Sequence, residues 1–141
     1  IIDDSVCHWD KITINFDDFQ PDATKIKFID AFNIPAGSQL HRIIIHPTTA
    51  FNGAPITDAF VEIYEETDSH TYVNTNVNVF SAATDKSGKE SPGYTATDHF
   101  LIDFATGNNI RMRLEVVGPG AAIDSLTQGS IDIYYKLDKF V

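Results

Sequence analysis

Ile110-Arg111-Met112-Arg113-Leu114-Glu115-Val116 alternates apolar and charged side chains without a break. Successive side chains of an extended strand point to opposite faces. Ile110, Met112, Leu114 and Val116 therefore share one face, and Arg111, Arg113 and Glu115 the other. On a helix of about 3.6 residues per turn the same residues would wind around the whole surface. The stretch is a strand with one face in a core and one toward solvent, the pattern of antiparallel sheets.

The same alternation recurs on either side. Downstream, Ile131, Ile133, Tyr135 and Leu137 read as inward, with Ser130, Asp132 and Tyr134 outward. Gly118-Pro119-Gly120 breaks the chain before it, and Ala121 to Gln128 reads as a loop. Upstream, Gly107-Asn108-Asn109 reads as a tight turn, preceded by an apolar face of Phe100, Ile102 and Phe104.

In the first half, Trp9 to Phe16 reads as a strand with Ile12, Ile14 and Phe16 on one face. An acidic turn follows from Asp17 to Asp22. The next strand, Thr24 to Ile34, puts Ile26, Phe28, Phe32 and Ile34 on one side. Asp30 shares that side, a conflict that a bulge or strand end near Asp30 relieves. Ile34-Pro35-Ala36-Gly37 supplies a reversal. Gln39 to His46 is a strand whose Ile43-Ile44-Ile45 suggests burial on both faces, and Pro47 is expected to end it. Phe51-Asn52-Gly53-Ala54-Pro55 is a turn-rich break. Thr57 to Glu65 places Ala59, Val61 and Ile63 inward, opposite Phe60 and Tyr64. Asp68 to Ala83 reads as short strands around a loop (Tyr72-Val73, Val77, Val79), and Asp85 to Pro92 as an exposed, mobile loop.

About eight strands with turn signals between them predict an all-β chain: one antiparallel β-sandwich, jelly-roll-like, with an immunoglobulin-like sandwich as the alternative. The paired-cysteine framework of antibody domains is missing. The 141 residues suit one domain, and a chain of this size buries about 68–70% of its unfolded surface without staples. Residues 1–8 are expected to form an arm or edge strand, and 9–141 the sandwich. Ten Phe and five Tyr against one Met agree with a strand-rich chain.

The formal net charge is -10. Such an excess of acid opposes a grip on nucleic-acid phosphates and on anionic membranes. Cys7 is the only cysteine, so no internal disulfide forms. The chain starts at Ile1, which points to a processed, trimmed or incompletely represented start. No stretch reads as a signal-peptide core or a bilayer span.

Chemistry-bearing patterns are sparse. His8, His41, His46, His70 and His99 are dispersed, whereas zinc needs three or four converging ligands. Asp17, Asp18 and Asp22, with Asp3 and Asp4, offer hard oxygens for calcium but lack EF-hand spacing; a solvated acidic turn is the plainer account. No Gly-x-Ser-x-Gly elbow occurs. The chain is therefore read as a non-enzyme with no cofactor and no metal. Trp9, Tyr64, Tyr72, Tyr94 and Tyr134 are candidates for stacking on sugars. Covering a sheet face or an interface is their alternative role.

Two stretches carry a family likeness. One runs from Ile34-Pro35-Ala36-Gly37 through Ile43-Ile44-Ile45 to Thr48-Thr49-Ala50-Phe51-Asn52-Gly53. The other is Gly107-Asn108-Asn109-Ile110-Arg111-Met112-Arg113-Leu114 with the later Gly129-Ser130-Ile131-Asp132-Ile133-Tyr134-Tyr135. This layout resembles small β-sandwich structural proteins of tailed bacteriophages, over roughly Ile26 to Leu137. Ala54 to Asp58 departs from the more regular pattern of that group. The resemblance implies a virion component, with capsid decoration favoured over a tail or fibre role. It implies a homo-oligomer, a trimer favoured, bound to the major capsid protein or other virion proteins. It transfers no catalytic residue. The assembly contacts expected are Ile1, Ile2 and Val6 in the arm, Phe51, Pro55 and Ile56 in one loop, and Tyr94 in another. An extracellular carbohydrate-binding module, with a glycan as ligand, is the rival.

Overall fold

Seven strands in two antiparallel sheets account for the residues that the computed structural model describes, which are 9–65, 77–80 and 108–139. The strands are β1 (Trp9–Asn15), β2 (Ile26–Ile34), β3 (Ser38–Asn52), β4 (Asp58–Glu65), β5 (Val77–Asn78), β6 (Asn108–Val117) and β7 (Gln128–Lys139). One sheet has the order β1-β7-β3 and the other β2-β6-β4-β5. The arm at residues 1–8, the Asp85–Pro92 loop and the Phe100–Phe104 face lie outside the described residues.

The alternation of β6 sets the inside of the sandwich. Ile110, Met112, Leu114 and Val116 are fully buried, as are Ala59, Val61 and Ile63 of the neighbouring β4. Ile43, Ile45, Ile131 and Ile133 come from the facing sheet and join the same core cluster. The two layers touch through aromatic rings as well. Phe32 of β2 and Tyr135 of β7 stack with centroids 3.9 Å apart and planes at 6°. Burial raises the Tyr135 phenol above its ordinary pKa, and the nearby Asp10 carboxylate adds to the effect.

β2 carries the bulge that Asp30 demanded. Its register against β6 shifts between Asp30 and Phe32. The consequence differs from the expected face. An extra residue shifts the side-chain phase by one, so the two ends of the strand present opposite parities to the core. Phe32 and Ile34 are buried, whereas Ile26 and Phe28 stand outside with Asp30. Ile29 and Ala31 pack against the core instead.

β3 also differs. It does not stop at Pro47 but runs to Asn52. Pro47 pairs in register with Ile131, and the ladder shifts directly after it. Among the described residues β3 lies at the edge of its sheet, where a residue without an N–H is tolerated. Ile43 and Ile45 are buried while Ile44 is half-buried, so this strand has one core face rather than two. Asn108 and Asn109 pair with Ile34 and Asn33 inside the ladder, in place of the expected turn.

Short connections tie the sheets together at one end. The acidic turn folds into a 3-10 turn, Phe16–Phe19, that buries Phe19. Asp18 accepts a hydrogen bond from the Asn15 N–H at 2.7 Å. The Gln20 side-chain amide donates to the carbonyls of Ile123 and Leu126 at 2.9 and 3.1 Å. Asp22 donates its N–H to the Asp124 carboxylate at 2.7 Å, and the Asp124 N–H returns a bond to the Asp22 carbonyl at 3.0 Å. The loop from β1 to β2 is thereby fastened to the one from β6 to β7.

Candidate assembly surface

The phase shift in β2 brings apolar side chains onto the outer face of the four-stranded sheet. Ile26, Phe28 and Asp30 meet Arg111, Arg113, Glu115 and Val117 of β6 there, with Asp58, Phe60, Glu62 and Tyr64 of β4 beyond. Three rows run across the strands: Ile26, Glu115, Phe60; Phe28, Arg113, Glu62; and Asp30, Arg111, Tyr64. Ile26, Phe28 and Val117 are three of the four large apolar side chains that stand exposed among the described residues, the fourth being Trp9.

The centre of this face is an ordered polar network. The Arg113 guanidinium donates to Glu62 at 3.1 Å and to Glu115 at 3.2 Å. The Tyr64 hydroxyl donates to the second Glu62 oxygen at 2.6 Å. Glu62 is only 6% exposed although it faces outward. Its charge is matched by the guanidinium and its oxygens are hydrogen-bonded, the condition under which a buried carboxylate is tolerated. Above the network, Phe28 and Tyr64 meet with ring centroids 5.9 Å apart. The Arg111 guanidinium lies 5.0 Å from the Phe28 ring centre, and its Nε is 3.7 Å from Asp30. The contact over the ring is a cation–π arrangement. Aromatic and Arg side chains are enriched in protein interfaces and Lys is depleted; no lysine stands on this face among the described residues.

Of the expected contact residues, Phe51, Pro55 and Ile56 are described, and none of the three belongs to the strands of this face. Phe51 is fully buried in the core and Ile56 is buried as well, so neither side chain offers a surface to a partner. Pro55, between them, is exposed. Ile1, Ile2, Val6 and Tyr94 lie outside the described residues. Tyr64 and Phe60 were placed outward by the alternation of β4, and Arg111, Arg113 and Glu115 by that of β6. Phe28 was missed because its strand was read in a single phase; the signal was Asp30 itself.

Other sites are modest. An open depression of about 420 Å³ is lined, among the described residues, by Asn52, Gly53, Ala54, Ile56, Phe80 and Thr127, none of them ionisable. Among the described residues, no three His, Cys, Asp or Glu side chains converge as a metal would require, and no helix is long and apolar enough to cross a membrane. Asp22 accepts hydrogen bonds from the Thr24 hydroxyl and N–H and lies 3.4 Å from Lys27. These contacts hold its carboxyl below the ordinary value, the Thr24 hydroxyl contributing most.

No known protein family matches the chain, and no curated protein does. Solved structures do match. A chain of the cyanophage Pam1 capsid asymmetric unit superposes with a TM-score of 0.61 at 16% identity, over 95% of this chain and 85% of that one. A chain of the acid-stable capsid of Helicobacter pylori bacteriophage KHP30 reaches a TM-score of 0.45 at 12% identity, over 93% and 87%. At 16% identity the first likeness speaks for the fold: this chain shares a whole-length β architecture with a protein of a phage capsid.

Proposed function

We propose that this protein is a non-enzymatic structural component of a tailed-bacteriophage particle, acting as a capsid decoration protein that associates with itself and binds the shell. The observation that carries the reading is the whole-length fold likeness to a chain of the Pam1 capsid asymmetric unit. The outer face of the four-stranded sheet supports it. A rigid aromatic and Arg patch with an internally satisfied centre has the composition of an interface core. Copies held together present several shell contacts at once, and avidity turns modest single contacts into firm attachment. A closed trimer is the assembly proposed, since closed symmetry prevents open-ended growth.

Light scattering on the purified chain across a concentration range, followed by sedimentation with capsids stripped of their surface proteins, tests this. A closed oligomer that co-sediments with stripped capsids supports the proposal. A chain that stays monomeric and remains in the supernatant overturns it.

A further inference from the structure

The outer face of the other sheet has a different chemistry. Trp9 and Lys11 of β1 point outward, because Ile12 and Ile14 point in. Tyr134 and Lys136 of β7 do the same opposite the inward Ile133 and Tyr135. Trp9 pairs in register with Lys136, and Lys11 with Tyr134. Aromatic and ammonium groups therefore occupy alternate corners of a small square on the sheet. The aromatic line continues onto β3: Ile44 pairs with Tyr134 and His46 with Asp132, and the His46 and Tyr134 rings lie 6.5 Å apart. Trp9, Tyr134 and His46 thus form a diagonal across all three strands. Diagonal neighbours on a sheet stand about 7–8 Å apart. Trp9 is 43% exposed. No ion pair holds Lys11 or Lys136 among the described residues, on a chain of net charge -10.

From this geometry we infer a second binding surface, the Trp9–Tyr134–His46 diagonal with Lys11 and Lys136, whose ligand is an acidic polysaccharide carrying carboxylate groups. Ring faces stack on the apolar faces of sugar rings, as they do on other flat or cationic partners. The two ammonium groups supply charges complementary to carboxylates. Thr13, whose hydroxyl donates to Asp132 at 2.6 Å, borders the diagonal with groups able to hydrogen-bond sugar hydroxyls. The chemistry distinguishes this ligand from a protein partner. Lysine is depleted at protein interfaces, and here two lysines sit among the rings. Single-stranded nucleic acid also uses stacking and cations, but it carries a phosphate at every residue, and the acidic remainder of the chain opposes it. A polysaccharide with sparser charge meets less repulsion. This surface does not depend on the proposed virion role, since it is carried by the isolated chain.

Trp9 is the only tryptophan, so its fluorescence reports directly on the diagonal. The full chain is titrated with a hyaluronan hexasaccharide, which carries a carboxylate on every second sugar, with neutral maltohexaose and with oligodeoxythymidylate. The hyaluronan hexasaccharide is expected to change the emission saturably, at least about fivefold more tightly than maltohexaose, because two exposed charge contacts together are worth about 1 kcal/mol. The charge-reversed pair Lys11→Glu with Lys136→Glu keeps the reporter and should abolish that preference, with far-ultraviolet circular dichroism confirming the fold. Tyr134→Ala should weaken binding as well. Three results overturn the inference: no emission change with the hyaluronan hexasaccharide, equal affinity for the neutral and acidic sugars, or tighter binding of oligodeoxythymidylate.

Discussion

The Arg113 guanidinium lies 3.1 Å from a Glu62 carboxylate that is only 6% exposed, although both side chains stand on the outer face of a sheet. Removing one partner strands the other. Arg113→Met leaves Glu62 charged, enclosed and deprived of its main counter-charge, and is expected to cost about 3 kcal/mol. Glu62→Leu leaves a side chain that still reaches Glu115, so it should cost less. The double variant should recover most of the loss, since an apolar pair of similar volume can replace a buried ion pair at little cost. Urea unfolding of the four proteins gives the coupling energy directly. Additive single losses would show that the network is ornamental to stability.

Phe51 is a core residue whose ring fixes the start of β7. A Cβ on Gly129 would stand 2.5 Å from a ring carbon of Phe51, and Gly129 has φ +150°. Gly129→Ala is therefore expected to cost at least about 3 kcal/mol, combining backbone strain with overpacking. Gly120 provides the control. It has φ +70° but nothing within 4 Å of a built Cβ, so Gly120→Ala should cost only about 1–2 kcal/mol. Phe51→Ala should lose about 3–5 kcal/mol. Thermal and denaturant midpoints rank the three; a Phe51→Ala chain of unchanged stability would return that residue to the list of partner contacts.

The sandwich was legible because its core strands alternate strictly. β4, β6 and β7 needed no tertiary information to be assigned a face. β2 was legible only in part. Asp30 announced an interruption, but sequence cannot say which half of the strand keeps the inward phase, since Ile26 and Phe28 are as apolar as Phe32 and Ile34. Packing decided it, and the candidate surface followed from that decision. Pro47 misled for a related reason: its missing N–H ends a central strand, and edge position is a property of topology. Phe51 reads as the start of a turn because Asn52-Gly53 follows it, whereas β3 runs through Asn52 and the turn begins two residues later, at Gly53.

Asp22 gives the fold a dependence on acid. Its carboxyl is held below the ordinary value by Thr24 and Lys27. A carboxyl whose pKa falls on folding adds stability above its unfolded value, and that stability disappears as pH drops through the folded one. The unfolded reference is 3.8, so the contribution is complete at neutral pH and fades below that point. Asp22→Asn should lower the melting temperature at pH 7, and the gap from the parent protein should close on acidification below the ordinary carboxyl range. A gap independent of pH would assign the effect to lost geometry rather than charge.

Phe28 separates assembly from folding. Its ring is 39% exposed, so Phe28→Ser gives up a partly buried ring rather than a core one and should cost about 1–2 kcal/mol of stability, less than a core truncation. Its place is central to the proposed interface: beside Tyr64, beneath Arg111 and level with Arg113. Truncating a central aromatic anchor typically costs an interface about 2 kcal/mol or more, some thirtyfold in affinity. The contact is repeated at every junction of a closed assembly, so the effect multiplies with the number of copies. Light scattering should find Phe28→Ser monomeric at concentrations where the parent chain is associated, with an unchanged circular dichroism spectrum. Charge reversal offers an independent check. Arg111→Asp puts a second acid beside Asp30 on this face, in a chain of net charge -10, and should weaken association in low salt more than in high salt, because screening relieves exposed like charges. Restoring the opposite sign with Asp30→Arg in the same chain should bring association back. Rescue by that exchange would assign the effect to the charge of this face, whereas dissociation that no exchange repairs would move the interface to another part of the sandwich.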